Sequence, residues 1–162
     1  MIRKLMSLPL RTQLILLLTA FSVSMNLGAW GFQYIGGYPP CDLCFYQRYP
    51  HWSAAGAGVL ALIFGGALFP YLGALSTAAT GAIGVYHSGV ERKLWEGPTT
   101  CTSSSIDGLS ADELFNSIMA APMVRCDEIP WEIFGITMAN LNAVFSFGAA
   151  ILWVVAANMK KA

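Results

Sequence analysis

The chain has 162 residues, of which 56% are hydrophobic and 11% charged, with nine basic and nine acidic side chains. That length suits one domain, and a charged fraction under half of the ~25% typical of soluble domains excludes an ordinary water-soluble globule. Zero net charge removes the electrostatic case for nucleic acid.

Asp, Glu, Lys and Arg are absent from residues 12–41, 49–90 and 133–159. A membrane span needs about 20 apolar residues, so the first and third stretches hold one span each. The middle stretch holds two, joined at Phe69-Pro70-Tyr71, where proline would disrupt a continuing helix. The expected fold is an all-α membrane protein, a bundle of four transmembrane helices forming a single domain over residues 1–162. The spans fall at about 13–32, 50–68, 71–90 and 134–158, and the outward loops at 33–49 and 91–133.

Arg3, Lys4 and Arg11 precede the first span, and Lys160 and Lys161 follow the last. All nine acidic residues lie in 42–48 and 91–132. The positive-inside rule then places both termini in the cytoplasm and both loops outside, which is the periplasm if the membrane is a bacterial inner membrane. Residues 1–30 also resemble a secretory signal, but their apolar run is too long for a signal core and ends in Trp30 and Phe32, which suit an interfacial anchor.

In the first span, Ser22, Ser24 and Asn26 are expected to hydrogen-bond a neighbouring helix. Gly36, Gly37, Pro39 and Pro40 then end the helix ahead of Cys41-Asp42-Leu43-Cys44-Phe45-Tyr46-Gln47-Arg48. If this octet is helical, Cys44 and Arg48 lie on one face, one turn apart. A helix N-terminus and a cation both favour the thiolate. A disulfide across two intervening residues gains little chain-entropy stabilisation, so such a pair can open and close repeatedly. Pro50 predicts a start or kink of the regular helix there.

Ala54 with Gly58, and Ala74, Ala78 and Ala82, recur at the four-residue spacing of close helix packing. The third span ends in Tyr86-His87-Ser88-Gly89-Val90-Glu91, with His87 and Glu91 on one helical face at the depth of the octet. His87, with an unperturbed pKa near about 6.5, suits proton transfer. His51 is similar in depth and weaker in context. In the long second loop, Ser110-Ala111-Asp112-Glu113 is a capping box. It opens a short helix whose Leu114, Phe115, Ile118 and Met119 form an apolar stripe suited to lying on the membrane surface.

All four cysteines, Cys41, Cys44, Cys101 and Cys126, fall on the outward, oxidising side, which implies disulfides. Three pairings are open. Proximity favours Cys41–Cys44, leaving Cys101–Cys126. A zinc site of four thiolates would call for a second short-spaced pair, so no metal is expected. Two pairs, a solvent-accessible one in the loop and one at the lipid edge, suggest a thiol–disulfide relay. Such a relay needs a terminal electron acceptor. At the membrane boundary, with no haem or flavin motif, a lipid-soluble quinone is the candidate, and Arg48 would stabilise its reduced oxygen or the Cys44 thiolate.

Cys-x-x-Cys-x-x-Gln-Arg opening the second span, His-Ser-Gly-Val-Glu closing the third, and the two loop cysteines resemble the bacterial disulfide bond formation protein B family. Cys126-Asp127 followed by Phe134-Gly135-Ile136-Thr137 is similar to that family's entry into its fourth span. The resemblance implies a membrane thiol:quinone oxidoreductase that reoxidises a periplasmic thioredoxin-fold oxidant of the DsbA type, with ubiquinone or menaquinone as acceptor. It implies attack by the partner on Cys101, release of Cys126 to be engaged by Cys41, and a Cys44 thiolate facing the quinone beside Arg48. His87 matches a position near the quinone. Gln47 stands where some relatives carry an acidic residue. The competing readings are a vitamin K epoxide reductase type of enzyme, whose loop cysteines usually precede the membrane pair, and a scaffold braced by two inert disulfides. A transporter is disfavoured by the lack of intramembrane charge.

Overall fold

The long uncharged runs fold as long helices, because backbone groups removed from water must bond within their own segment. The structure, a computed structural model, describes residues 7–102, 110–120 and 124–160. Its elements are α1 (Leu10–Tyr34), α2 (Asp42–Phe64), α3 (Leu68–Glu91), the short α4 (Ala111–Ala120), the hairpin strands β1 (Glu132–Ile133) and β2 (Ile136–Thr137), and α5 (Met138–Asn158). Three of them, α1, α3 and α5, are long and apolar enough to cross a membrane. The first turns of α2 carry Asp42, Gln47, Arg48 and His51, which shortens its apolar run.

The four long helices form a ring in which α1 packs on α2, α2 on α3, α3 on α5, and α5 less extensively on α1. Contact between α1 and α5 is concentrated at the end remote from the cysteines. There Ile15 and Leu18 join Ala61, Ala74, Ala149, Ala156 and the fully buried Trp153 in one apolar core. The same end is tied by Arg11, itself buried, whose Nε donates to the Ala156 carbonyl at 3.0 Å and whose Nη2 donates to the Gly66 carbonyl. Arg11 thereby satisfies one of the carbonyls that the end of α5 leaves open and one in the turn after α2. Arg3, Lys4 and Lys161, its expected companions in the positive flank, lie outside the described residues.

Several local expectations give way to the structure. The turn between α2 and α3 is Gly65-Gly66, at φ +70° and +72°, where glycine carries no steric cost. Phe69-Pro70-Tyr71 instead lies in the first turn of α3, where proline's missing N–H has no helical partner to lose. Pro50 neither starts nor ends a helix: α2 runs through it from Asp42. The fourth long helix begins at Met138 rather than Phe134, because Phe134 and Gly135 form the positive-φ turn of the hairpin. The close-packing face of α3 is not Ala74-Ala78-Ala82, since Ala82 is exposed. It is Gly73, Gly81 and Gly84, lying against Trp153, Phe147 and the Ala139–Ala143 backbone of α5. Between α1 and α2, Gly58 lies against Thr19 beside the buried Ala54.

The capping box opening α4 is present: Ser110 N–H donates to Glu113 Oε2 at 2.8 Å, and Glu113 N–H returns to Ser110 Oγ at 3.4 Å. Phe115 and Met119 of its stripe are exposed; the side chains of Leu114 and Ile118 lie outside those described. A second capping box, Thr137 with Asn140, opens α5. Thr137 Oγ1 also donates to Glu91 Oε2 at 2.6 Å, and Asn140 Nδ2 to Ser88 Oγ at 2.6 Å. The N-terminus of α5 is thus locked to the end of α3.

Trp153→Ala is expected to lower stability by about 3–5 kcal/mol through the cavity it leaves. Trp153→Phe should cost much less, because the buried indole N–H has no partner among the described residues. Thermal unfolding in detergent checks the order of the two.

Candidate functional site

Gly37, at φ +73°, and the two prolines turn the chain out of α1 and deliver Cys41 in extended conformation as the N-cap of α2. Cys44 is then the third residue of that helix, within reach of the unpaired N–H groups of its first turn. The two sulfurs are 3.0 Å apart, with the Cys41 thiol donating to Cys44 Sγ. Both cysteines precede the apolar run of α2. The hydrogen bond between them drives their acidities apart. Cys41 is pushed well above the ordinary thiol range, first by that bond and then by burial. Cys44 is held below it: the bond from Cys41 is the largest cause, burial opposes it, and the Arg48 charge adds a smaller push in the same direction. Cys44 is therefore the thiolate of the pair.

Arg48, one turn on, is anchored to α1. Its Nη1 donates to Gln33 Oε1 at 2.8 Å and its Nη2 to the Ala29 carbonyl at 3.4 Å, while the guanidinium stands 5.1 Å over the Phe45 ring. His87, from the last turns of α3, meets Cys41 rather than Cys44: Nε2 lies 3.6 Å from Cys41 Sγ and 3.9 Å from Glu91 Oε1. The His87 ring also donates to the Cys126 backbone carbonyl.

Cys101 and Cys126 are joined in a disulfide. With Cys41, Leu43 and Val90 they form one buried cluster, against which Cys44 and Val124 pack. The two cysteine pairs, 57 residues apart in sequence from Cys44 to Cys101, thus meet in space. One expectation changes: the loop pair is not solvent-accessible, since Cys101 is 1% and Cys126 0% exposed. The loop folds its disulfide inward onto Val90 and Leu43 because a sulfur pair is apolar enough to join a core.

A chain of buried hydrogen bonds runs from this cluster into the bundle. Gln47 Nε2 donates to the Leu43 carbonyl at 3.1 Å and to His87 Nδ1 at 2.9 Å. Gln47 Oε1 accepts from Asn142 Nδ2 at 2.8 Å. Asn142 Nδ2 also donates to the Thr80 carbonyl at 3.1 Å, and Thr80 Oγ1 donates to the Gln47 carbonyl at 2.8 Å. His51 Nε2 lies 2.9 Å from Asn142 Oδ1, which also accepts from Ser146 Oγ at 3.1 Å. His87, Gln47, Asn142 and His51 are therefore linked end to end.

Beside this chain, between α1, α2 and α5, lies a cavity of about 550 Å³. Cys41, Cys44, Arg48, His87 and Glu91 line it, as do the apolar Met25, Phe32, Met138, Leu141 and Phe145. A mostly apolar pocket with a few converging polar groups is the usual form of a small-molecule site. Cys41, Cys44 and His87 also bring one ligand atom each within 4.8 Å of one another, a set able to grip a soft divalent ion.

The octet, His87 and Glu91 were accessible to sequence reasoning because each carries a recognisable chemistry at helical spacing. Asn142, Thr80 and the linking role of Gln47 were not. Their only signal is a polar side chain in an otherwise apolar run. Of the first-span polar residues, Ser24 Oγ donates to the Phe21 carbonyl of its own helix. Ser22 and Asn26, expected to bond a neighbouring helix, are buried without a hydrogen-bond partner among the described residues.

The family described as "Disulfide bond formation protein DsbB" matches residues 11–156. A disulfide bond formation protein B of Shewanella loihica is 31% identical over 136 residues, covering 80% of this chain and 78% of its own length. One from Shewanella sp. strain MR-4 is 27% identical over 149 residues, covering 86% and 85%. An uncharacterised protein of Rickettsia prowazekii is 29% identical over 137 residues, covering 81% and 78%. No solved structure matches the chain.

In the reduced protein, alkylation with iodoacetamide at neutral pH is expected at Cys44 and not at Cys41, read by peptide mapping. The rate should level off below the ordinary thiol pKa of about 8.5. Cys41→Ala removes the largest cause of the Cys44 depression and should move the midpoint up, whereas Cys41→Ser keeps a donor and should move it less.

Proposed function

This chain belongs to the disulfide bond formation protein DsbB family and is a disulfide-forming membrane protein, and on that premise we propose that it is a thiol:quinone oxidoreductase that reoxidises a periplasmic dithiol oxidant of the DsbA type. It would sit in the bacterial inner membrane as one domain of four spans, with both termini cytoplasmic and the cysteine end outward. The charge asymmetry of the sequence supports that orientation. The observation that carries the reading is the meeting of both cysteine pairs in one buried cluster at the mouth of a largely apolar cavity.

The partner's thiolate attacks Cys101, breaking Cys101–Cys126 and releasing Cys126 as a thiolate. The partner's second thiol then resolves the mixed disulfide, leaving the partner oxidised and Cys101 and Cys126 reduced. Because this disulfide is buried, partner docking must first uncover Cys101. Cys126 next attacks Cys41 of an oxidised Cys41–Cys44 pair, and Cys101 closes the loop disulfide again. The arrangement described above, with Cys101–Cys126 bonded and Cys41 and Cys44 reduced, corresponds to the state that follows.

Closing Cys41–Cys44 from this thiol–thiolate pair then releases two electrons and its one remaining proton; the second proton of a quinol comes from water. A bound quinone supplies the acceptor for the electrons, and the cavity's apolar walls, the Arg48 cation and its unpaired polar atoms fit such a ring. Within the chain, Cys41 shares its proton with Cys44 Sγ; His87, whose Nδ1 accepts from Gln47, holds its Nε2–H toward Cys41 Sγ, and Glu91, 3.9 Å from that nitrogen, is the carboxylate placed to take the proton as the sulfur is oxidised. Arg48, held by Gln33 and Ala29, fixes positive charge on the cavity side of Cys44.

The test is anaerobic: the purified protein, a reduced CxxC thiol protein and a soluble quinone analogue, with quinone absorbance followed against thiol loss. Stoichiometric consumption that vanishes in Cys44→Ser supports the relay; no consumption with both cysteine pairs unchanged would sink it. Arg48→Ala is expected to lower the quinone-dependent rate by about tenfold or more while leaving exchange between the partner and Cys101–Cys126 near wild type. Equal loss in both steps would refute the role given to Arg48.

A further inference from the structure

The inner end of the cavity carries two polar groups that the relay does not use. Asn26 of α1 is 1% exposed, lines the cavity, and has no hydrogen-bond partner for Nδ2 or Oδ1 among the described residues. His51 of α2 is 3% exposed, lines the same cavity, and has no such partner for Nδ1. Unpaired buried polar atoms are costly, so two such side chains on one cavity point to a ligand that completes them.

The hydrogen-bond chain decides what each can offer. The Thr80 carbonyl can only accept, so the nitrogen of the Asn142 amide faces it and the oxygen faces His51. His51 Nε2 must then carry the imidazole proton, which leaves the lone pair of the neutral ring on Nδ1, the unpaired atom. Asn26 offers both a donor and an acceptor. The position along the cavity also fits. His51 is seven residues beyond Cys44, two turns or about 10 Å along the helix axis. Asn26 lies on α1 between Ala29, which bonds Arg48, and Phe21, whose ring meets His51 edge-on at 5.9 Å. Cys44 and Arg48 at one end and Asn26 and His51 at the other bracket a six-membered ring with oxygens at opposite corners.

We propose that Asn26 and His51 form the subsite for the quinone oxygen remote from Cys44, and that this subsite distinguishes the two redox forms. The inference rests on the quinone reading above. Asn26 Nδ2 donates to that oxygen when it is a carbonyl. His51 Nδ1 faces a carbonyl lone pair to lone pair, but accepts a hydrogen bond when the oxygen is a hydroxyl. His51 therefore favours the reduced ring, and Asn26 serves both forms. Binding the product more tightly than the substrate would assist electron flow away from Cys44.

The experiment measures binding, with redox turnover blocked by Cys44→Ser in the full chain. Decyl-ubiquinone and its quinol are titrated anaerobically by calorimetry, and thermal unfolding of the ligand-free protein is recorded alongside. His51→Leu should weaken quinol binding by about tenfold and quinone binding by less than about threefold. Asn26→Leu should weaken both forms by about three- to tenfold. It should also raise the unfolding temperature of the ligand-free protein, because it removes an unpaired amide without taking a bond from any neighbour. Loss of ligand affinity with gain of intrinsic stability is a signature that a purely structural residue would not produce. Unchanged affinities in both variants, or equal losses for quinone and quinol in His51→Leu, would overturn the subsite while leaving the relay intact. Wild-type protein that binds no quinone would instead bring down the quinone reading itself.

Discussion

The structure hangs on a constraint imposed by burial: a polar group inside an apolar bundle is costly unless another group pairs with it. Gln47, Thr80 and Asn142, one each from α2, α3 and α5, satisfy that requirement as a closed set. Each contributes a side chain that bonds a neighbour's backbone or amide. The geometry admits one arrangement of donors and acceptors. The set consequently fixes how deep α2 sits against α3 and α5, and with it the height of Cys44 and Arg48 relative to His87 and Glu91. Apolar packing alone would tolerate sliding along these helices.

A second consequence is chemical. Because a flipped amide would set its oxygen against the Thr80 or Leu43 carbonyl oxygen, the amides impose tautomers on the histidines at the two ends. His87 accepts from Gln47 at Nδ1 and so presents its N–H to Cys41, while His51 presents a lone pair to the cavity. One structural network thus prepares a donor at the thiol end and an acceptor at the inner end. Gln47 suits this role, since an amide can donate and accept at once and an ionised carboxylate cannot.

The disulfide end follows a different logic. The loop after α3 carries its sulfurs back onto Val90 and Leu43, so the second cysteine pair is stored in the core of the site rather than displayed to solvent. Proximity of the two pairs favours exchange between them, and burial protects the loop disulfide from casual thiols. Access to an outside dithiol then depends on displacing the loop. Beneath it, Thr137 with Glu91 and Asn140 with Ser88 tie the start of α5 to the end of α3.

The sequence by itself determined the helical class, the long apolar runs, the cysteine inventory, the capping box at Ser110 and the Cys44–Arg48 and His87–Glu91 pairs, because each is encoded within a few residues. Charge-free runs and i,i+4 spacings are local properties that survive without knowledge of neighbours. Boundaries at Gly65-Gly66 and at the Phe134-Gly135 hairpin were misplaced where two local signals competed. Proline at position 70 looked like a breaker, yet it is tolerated in a first turn. Only the tertiary structure decided which small residues face a neighbour, that Cys101–Cys126 lies against Cys41, that Arg48 is held from α1, and that Asn26 and His51 stand unpaired on one cavity. Those are relations between segments tens of residues apart. They depend on helix rotation and depth, and a rotation of one residue, about 100°, would exchange a buried amide for an exposed one.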